Sequence, residues 1–420
     1  MVAAPADREG PAQASTAPRQ GSARPSRARR HATLSVRHAL VESVSAHPVP
    51  SGPRSLGSLA MSCDSTELIA LATAQGVAGR AAERLAPYLA PEALSLLTTR
   101  ARQDAITHLM FLGALPRVAA ALESSGAAWA VLKGPVLAEI CYAPTPRGYT
   151  DLDLLVSAPR IGEAVDALRA AGADFVEHNW PLMVKKATGE LMMSLDGRTV
   201  LDVHWHPVND YPARRRFLLP AAEMLARAER TQLGPLFVPS LERTDFLVQL
   251  SCHASLSGGH LLRWLLDIER TVTNWPPDWD ELVRRSRQWR VALPVAVSLH
   301  RARQTLAASV PEQVIAALTG TKSNRLLVSS LGSWVPAGRL PGGRAFVNGL
   351  TRSVRDSMAA TLADFARRNL LTLGELRHPS AWGSTDLSLR HNSGGEQGFQ
   401  RYVSMVKSAD AFGHVAGCWT

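Results

Sequence analysis

The strongest constraint on the fold is a short apolar run that carries two acids. Residues 151–156 read Asp-Leu-Asp-Leu-Leu-Val, the pattern of a buried strand interrupted at two positions. Successive side chains of a strand point to opposite faces, so Asp151 and Asp153 share one face. Their carboxylates are then roughly 6–7 Å apart, which suits one or two hard divalent cations with oxygen ligands. The alternative is a strand edge with two solvated acids.

A second strand and a turn precede this run. Residues 128–132 are apolar and predict a strand, which ends at Lys133, Gly134 and Pro135. Proline is favoured in the first turn of a helix, so we expect residues 136–142 to be helical. Free backbone N–H groups and the helix dipole favour a phosphate beside Gly134, and Lys133 adds a positive charge. Glycine is common in strand–helix turns, so this motif is weak by itself.

A hairpin is predicted downstream. Asp196-Gly197 separates two runs with strand character, residues 190–195 and 199–205, and Asp-Gly in that position is typical of a tight turn. In the second strand Asp202 and His204 share a face. Asp202 is therefore a candidate third carboxylate on a neighbouring strand.

These features together resemble the nucleotidyltransferase superfamily that includes DNA polymerase beta. The common elements are a glycine at a strand–helix turn, an Asp-x-Asp strand and a lone aspartate on a later strand. The chain is still more similar to a bacterial family of uncharacterised nucleotidyltransferases, some of whose members sit in gene clusters for peptide natural products. The segments that carry this resemblance are Leu132-Lys133-Gly134, Arg147, and residues 151–156, 201–205 and 260–268. The resemblance covers roughly residues 65–318. Lys133-Gly134 stands where the wider superfamily has Gly-Ser or Gly-Gly.

The resemblance implies transfer of a nucleoside monophosphate from an NTP, with ATP as the expected donor. The acceptor is not identified by the sequence; a small molecule, a peptide and RNA remain open. The implied catalytic residues and ligands of Mg²⁺ are Asp151, Asp153 and Asp202. One or two ions are expected, with Mn²⁺ as an alternative, and Asp202 either holds the second ion or acts as general base. The implied nucleotide contacts are Lys133, Gly134, Arg147 and His204.

Two other functions remain open at this point. One is a nucleotide-binding or scaffolding protein whose catalytic site has degenerated, although all three acids are retained. The other is a nucleic-acid-modifying enzyme with the same fold, because fold does not fix function.

The predicted fold class is α+β, with a small mixed-sheet nucleotidyltransferase core flanked by helical regions. We expect a disordered basic tail over residues 1–60, a helical region over 61–125, the core over 126–210 and a helical bundle over 211–320. Residues 321–420 show no motif that assigns a role. The tail is rich in Ala, Pro, Ser, Gly and Arg and is expected to be dispensable, with translation starting at Met1 or Met61.

Several side chains outside the motifs are given expected roles. Residues 98–124 predict one long helix with a disturbance at Pro116. Its expected inward side chains are Ile106, Leu109, Met110, Leu112 and Leu115. The Lys185-Lys186 pair could reach a triphosphate or remain solvated. Arg263 and Asp267 have the spacing of a helical ion pair. A metal site built from His253, His260 and Asp267 is less favoured than core packing.

Composition limits the cellular context. The net charge of +10 favours an anionic partner, although a basic tail and high Arg content explain part of the excess. No run of about 18 uncharged apolar residues occurs, so no membrane span is expected. The four cysteines are widely spaced, which argues against a zinc site or a disulfide framework and favours a reducing cytoplasm.

Overall fold

The fold is built on a seven-stranded mixed sheet. We obtained a computed structural model that describes residues 27–45, 55–334, 337–338, 345–377 and 395–412. The strands are β1 (Trp129–Val131), β2 (Leu152–Val156), β3 (Ala173–Phe175), β4 (Glu190–Leu195), β5 (Thr199–His204), β6 (Glu229–Leu233) and β7 (Leu236–Ser240). Their order in the sheet is β3-β4-β5-β2-β1-β7-β6.

Helices flank this sheet in the chain on both sides, which confirms the predicted α+β class. The helices that precede β1 are α1 (Arg27–Val44), α2 (Leu56–Met61), α3 (Ser65–Ala74), α4 (Ala78–Leu85) and α5 (Pro91–Ser124). The helices between the strands are α6 (Ile161–Ala170), α7 (Trp180–Lys186), α8 (Tyr211–Arg214) and α9 (Ala221–Ala226). The helices that follow β7 are α10 (Arg243–Leu256), α11 (Leu262–Asn274), α12 (Trp279–Gln288), α13 (Ala292–Leu306), α14 (Glu312–Thr319), α15 (Lys322–Trp334), α16 (Ala345–Arg352), α17 (Met358–Arg377) and α18 (Gly395–Phe412).

Strand β2 lies at the centre of the sheet and all five of its residues are buried. It pairs antiparallel with β1 and parallel with β5, and Asp153 lies directly opposite Asp202 in the parallel register. The predicted hairpin is present, because β4 and β5 pair antiparallel up to Leu195 and Thr199. Asp196-Gly197 closes it with positive φ angles of 54° and 67°, which is the conformation of a type I′ turn.

Helix α5 is continuous through Pro116. Of its five expected inward side chains, Leu115 is buried and Leu112 is partly buried against the core, and the prediction is wrong for the other three. Ile106, Leu109 and Met110 are exposed, at 57%, 65% and 48% of their surface. The buried stripe is Phe111, Leu115, Val118 and Leu122. With 100° of rotation per residue these four side chains cluster on one side, and the three exposed side chains fall on the other. An apolar residue on a helix therefore does not by itself identify the buried face.

Among the described residues, α5 is also the one helix long and apolar enough to cross a membrane. Its length and composition alone meet that test. Its Phe111 and Leu115 face belongs to the hydrophobic core, in contact with helices α3, α4 and α6 of the same chain. The core helix of a folded domain meets the same test of length and composition, so α5 is weak evidence for a membrane span.

The expected disorder up to residue 60 is wrong for residues 55–60, which contain most of α2, and for residues 27–45. Residues 27–44 form α1, which contacts α2, α3, α4 and α13. Val36, Leu40 and Val44 are almost completely buried in these contacts. The prediction rested on the average composition of residues 1–60. It missed the apolar side chains Val36, Leu40 and Val44, which recur at helical spacing. The remainder of the expected tail, residues 1–26 and 46–54, lies outside the described residues.

The C-terminal helix α18, which the sequence did not predict, packs on the core beside α6 and α7. Phe399 and Tyr402 are buried against Trp180. The Tyr402 hydroxyl accepts a hydrogen bond from Trp205 Nε1 at 3.1 Å and donates one to the carbonyl oxygen of Thr188. This helix therefore covers the strand segment that leaves β5.

Candidate active site

The paired strands β2 and β5 bring two of the predicted acids together. Asp153 and Asp202 are direct neighbours in register, and His204 follows on the same strand as Asp202. Ligand atoms of these three side chains all lie within 4.8 Å of one another. Asp153 is almost completely buried, with 1% of its surface exposed. Asp151 lines the adjoining cleft but does not belong to this close group.

Lys133 and His204 both contact one oxygen of Asp153. The Lys133 ammonium is 3.0 Å from Asp153 Oδ1, and His204 Nε2 is 3.2 Å from the same atom. His204 Nδ1 lies 3.1 Å from Glu190 Oε2 on β4, a residue that the sequence did not single out. Burial would raise the pKa of Asp153, but these two cationic partners outweigh it and hold the pKa well below its usual range. Asp153 is therefore an anion in the folded protein.

His204 is held in its charged form by acids on both sides. Burial would lower its pKa, but Glu190 and Asp153 outweigh burial and raise the pKa to about 9. The ring of His204 contacts Asp153 and Glu190, and its expected contact with a nucleotide stays a prediction.

The donor atoms of this group fit a hard divalent cation. Asp153 Oδ2 and Asp202 Oδ1 are buried and have no hydrogen-bond partner in the described part of the chain. Burial raises the pKa of Asp202 to about 7, and the carboxylates of Glu190 and Asp153 act in the same direction against the charge of His204. Burial also raises the pKa of Asp151, with Asp153 adding to it. Buried carboxylates that lack hydrogen-bond donors are costly to ionise. A bound Mg²⁺ or Mn²⁺ ion would compensate their charge.

A cleft of about 230 Å³ lies beside these acids. Its lining from the strand side is Lys133, Arg147, Tyr149, Thr150, Asp151 and Asp153. Its lining from helices α10 and α11 is Leu250, His253, Arg263, Trp264 and Asp267. The cleft thus combines three cationic side chains with the acids, and an aromatic and apolar wall from the helices. Lys185 and Lys186 do not line it; they occupy the last turn of α7.

Arg147 is fixed by a partner on α11. Its Nε and Nη2 atoms donate to the two oxygens of Asp267 at 2.8 and 2.7 Å, and the Tyr142 hydroxyl donates to the same carboxylate at 2.8 Å. Asp267 therefore pairs with Arg147. The helical spacing had predicted a pair with Arg263. The third nitrogen, Arg147 Nη1, is buried and has no hydrogen-bond partner among the described residues. No sequence pattern joins Arg147 to Asp267, because 120 residues separate them.

The turn at Gly134 needs glycine. Its φ angle is +59°, and an added Cβ would lie 3.3 Å from the Tyr149 ring. The segment that follows is a π-helical turn, Leu137–Tyr142, where the sequence predicted an ordinary helix. Tyr149 is itself held by a hydrogen bond of 2.7 Å to His108 and by stacking on Phe111. The turn thus lies tightly against the wall of the cleft, and its phosphate contact stays a prediction.

The alternative metal site of His253, His260 and Asp267 is not formed within the described residues. Both histidine rings pack edge-on against Trp264, and Asp267 is occupied by Arg147. Burial lowers the pKa of His253 well below its ordinary value, so this ring is neutral. The favoured alternative of core packing is therefore the better description.

Comparison with protein families gives one match. A family model described as "Uncharacterised nucleotidyltransferase" matches residues 62–307, which include the whole sheet and the cleft. The chain belongs to the uncharacterised nucleotidyltransferase family. The match nearly coincides with the segment expected from the sequence, and it supports an enzyme whose general reaction is nucleotidyl transfer. No match was found among curated proteins or among solved structures.

Proposed function

We propose that this nucleotidyltransferase moves a nucleoside monophosphate from an NTP, with ATP as the favoured donor, to an acceptor bound at the cleft. The observation that carries the proposal is the pairing of Asp153 with Asp202 on adjacent parallel strands, each with a buried oxygen that lacks a partner. Buried carboxylates in this state need a cation, and the cleft beside them offers guanidinium and ammonium groups for a triphosphate.

Asp153 and Asp202 would hold Mg²⁺, or Mn²⁺ in its place, and Asp151 would complete the set from the edge of the cleft. Such an ion would supply charge neutralisation on phosphate oxygens during an in-line displacement. Lys133 and His204 keep Asp153 ionised and oriented, because both contact its Oδ1 and leave Oδ2 without a partner among the described residues. Asp202 Oδ1 would either ligate a second ion or accept the proton of an attacking hydroxyl group.

Three cations would bind the triphosphate. Arg147 Nη1 is unpaired within the described residues while its other two nitrogens are fixed by Asp267, so the guanidinium is oriented before substrate arrives. Arg263 and Lys133 line the same cleft. Arginine suits phosphate because its fork matches two oxygens at once. Gly134 would let the backbone approach a phosphate closely.

The wall formed by Leu250, His253 and Trp264 is proposed to receive the nucleobase or the acceptor. An aromatic face beside an apolar side chain is the usual environment for a planar ring. The acceptor remains one of a small molecule, a peptide or RNA, and a place in natural-product biosynthesis remains part of the proposal. The unpaired state of Cys63, Cys141 and Cys252 supports a reducing cytoplasm as the compartment.

The decisive experiment measures which phosphate of labelled ATP is transferred to an acceptor. The protein is incubated with Mg²⁺, a pool of small molecules, peptides and RNA, and ATP labelled at either the α- or the γ-phosphate. Nucleotidyl transfer labels an acceptor from the α-phosphate only, with release of pyrophosphate. The Asp153→Asn protein is the control and should give no product. Transfer of the γ-label would contradict the proposal, and metal-dependent binding of ATP without any product from any acceptor would favour the degenerate binding protein.

A further inference from the structure

The protein has a second cavity, which is larger than the cleft and shares no lining residue with it. Its volume is about 530 Å³. Three separate segments line it: Tyr211, Arg215 and Arg216 from α8 and the residues after it, Arg290 from the turn between α12 and α13, and Asp364 and Arg367 from α17. The cavity is therefore assembled by tertiary packing.

Three of its arginines have no counter-charge in the described part of the chain. Arg215, Arg216 and Arg290 are exposed, and no ion pair or side-chain hydrogen bond joins them to a described residue. Guanidinium groups that converge on one cavity repel one another unless an anion lies between them. The side chains that line this cavity thus carry an excess of positive charge.

One of the two acids that line the cavity is already neutralised by other arginines. Asp364 accepts hydrogen bonds from Arg355 at 2.8 Å, from Arg367 at 2.9 Å and from Arg368 at 2.7 Å. Arg355 is fully buried, so this carboxylate forms an ion pair with a side chain of the protein interior. The other lining acid, Asp356, is exposed and is a single charge against the three unpaired arginines.

Arg290 occupies a backbone position that favours glycine. Its φ angle is +56°, in the left-handed region, and it follows Trp289, the C-cap residue of α12. A non-glycine residue there is strained, because its Cβ lies close to the backbone carbonyl oxygen. The chain carries an arginine where the backbone alone would favour glycine, and this arginine lines the cavity.

The geometry points to a second, metal-independent site that binds a phosphate-bearing small molecule through Arg215, Arg216 and Arg290. Arginine forks match phosphate oxygens, and the volume is that of a small-molecule site. Asp364 and Arg367 lie beyond residue 307, where the family match ends, so part of this site belongs to a segment outside the matched region. The inference does not depend on nucleotidyl transfer.

The test is calorimetric titration of the full chain with inorganic pyrophosphate, at low salt and with a chelator present. The Arg215→Gln/Arg290→Gln variant is compared with wild type and with Arg198→Gln/Arg401→Gln, which removes two exposed arginines elsewhere on the surface. Circular dichroism checks the fold of each protein. Because each arginine–phosphate pair is a charge-assisted bond, we expect the cavity variant to lose one binding event or to bind it at least about tenfold more weakly. The control should match wild type.

Equal affinity and stoichiometry in wild type and cavity variant would overturn the inference. A single-stranded RNA oligomer is titrated in a parallel arm. RNA binding that is lost in the Arg215→Gln/Arg290→Gln variant, with no pyrophosphate bound at the cavity, would also overturn it, because the ligand would then be a nucleic acid. Neither arm needs a divalent ion or product formation, so failure here is distinguishable from failure of the proposed transfer reaction.

Discussion

Arg147 binds Asp267 through two parallel hydrogen bonds, and this pair joins the segment before β2 to helix α11. Both side chains are buried, at 5% and 3% exposed. The pair therefore fixes the helical wall of the cleft against the strand that carries Asp151 and Asp153. It also directs the remaining nitrogen of Arg147, which has no partner among the described residues.

Asp267→Asn should weaken ATP binding and destabilise the protein. Removing one partner of a buried ion pair leaves an uncompensated charge, which costs roughly 3–5 kcal/mol. Tyr142→Phe is the matched control, because it removes one hydrogen bond to the same carboxylate and should cost only about 1 kcal/mol. Thermal unfolding and calorimetric titration with ATP and Mg²⁺ measure both effects. Unchanged ATP affinity in a folded Asp267→Asn protein would show that Arg147 does not bind the nucleotide.

Asp153→Asn and Asp202→Asn should both reduce transfer by orders of magnitude, since electrostatic stabilisation is often the largest catalytic contribution. Their effects on stability should be opposite in sign without metal. Asp153 has two cationic partners and a lowered pKa, so its replacement destabilises the fold. Asp202 has a raised pKa, so its replacement stabilises the fold at neutral pH. Unfolding curves with a chelator present compare the two; a loss of stability in both would contradict this assignment.

The contribution of Asp202 to the stability of the metal-free protein should fall as the pH rises through the range in which Asp202 ionises. The folded pKa of about 7 is above the ordinary value of 3.8, so the folded state prefers the protonated form. The contribution is present below about pH 4 and is lost between about pH 4 and 7. The difference in free energy of unfolding between Asp202→Asn and wild type should therefore grow over this range. A difference that is flat with pH would show that Asp202 is not perturbed.

A chain that starts at Met61 should be markedly less stable than one that starts at Arg27. The shorter chain lacks α1, whose Val36, Leu40 and Val44 are buried against the rest of the protein. Full burial of each such side chain contributes about 1.5–3 kcal/mol. Leu40→Ala in the longer chain should cost about 2–5 kcal/mol for the same reason. Equal melting temperatures for the two chains would restore the expectation of a dispensable segment.

Two glycine-to-alanine substitutions in helices should have opposite effects. An added Cβ at Gly398 on α18 would lie 2.7 Å from the Trp180 side chain, so Gly398→Ala should destabilise by about 1–3 kcal/mol. An added Cβ at Gly113 on α5 meets no atom within 4 Å, so Gly113→Ala should stabilise by about 0.5–1 kcal/mol. Denaturant unfolding measures both. A neutral Gly398→Ala would show that α18 is not held against Trp180.

Local sequence determined the parts of the site that depend on strand periodicity and turn chemistry. Strand alternation predicted Asp151 and Asp153 on one face, and both line the cleft; Asp196-Gly197 closes the hairpin that carries Asp202 back to the sheet. These features depend on near neighbours in the chain and on backbone preferences that are the same in any fold. For this reason the family and the acidic group were both visible from sequence.

Only the tertiary structure decided the partners of those residues. The contact of Lys133 with Asp153 depends on the pairing of β1 with β2, and that of Arg147 with Asp267 depends on how α11 packs beside the sheet. The buried face of α1 was missed and that of α5 was predicted only in part, because a helix with apolar residues on several sides has no preferred face until a neighbour covers one. Sequence periodicity specifies the direction of each side chain relative to its own backbone; which distant side chain it meets depends on the packing of the whole chain.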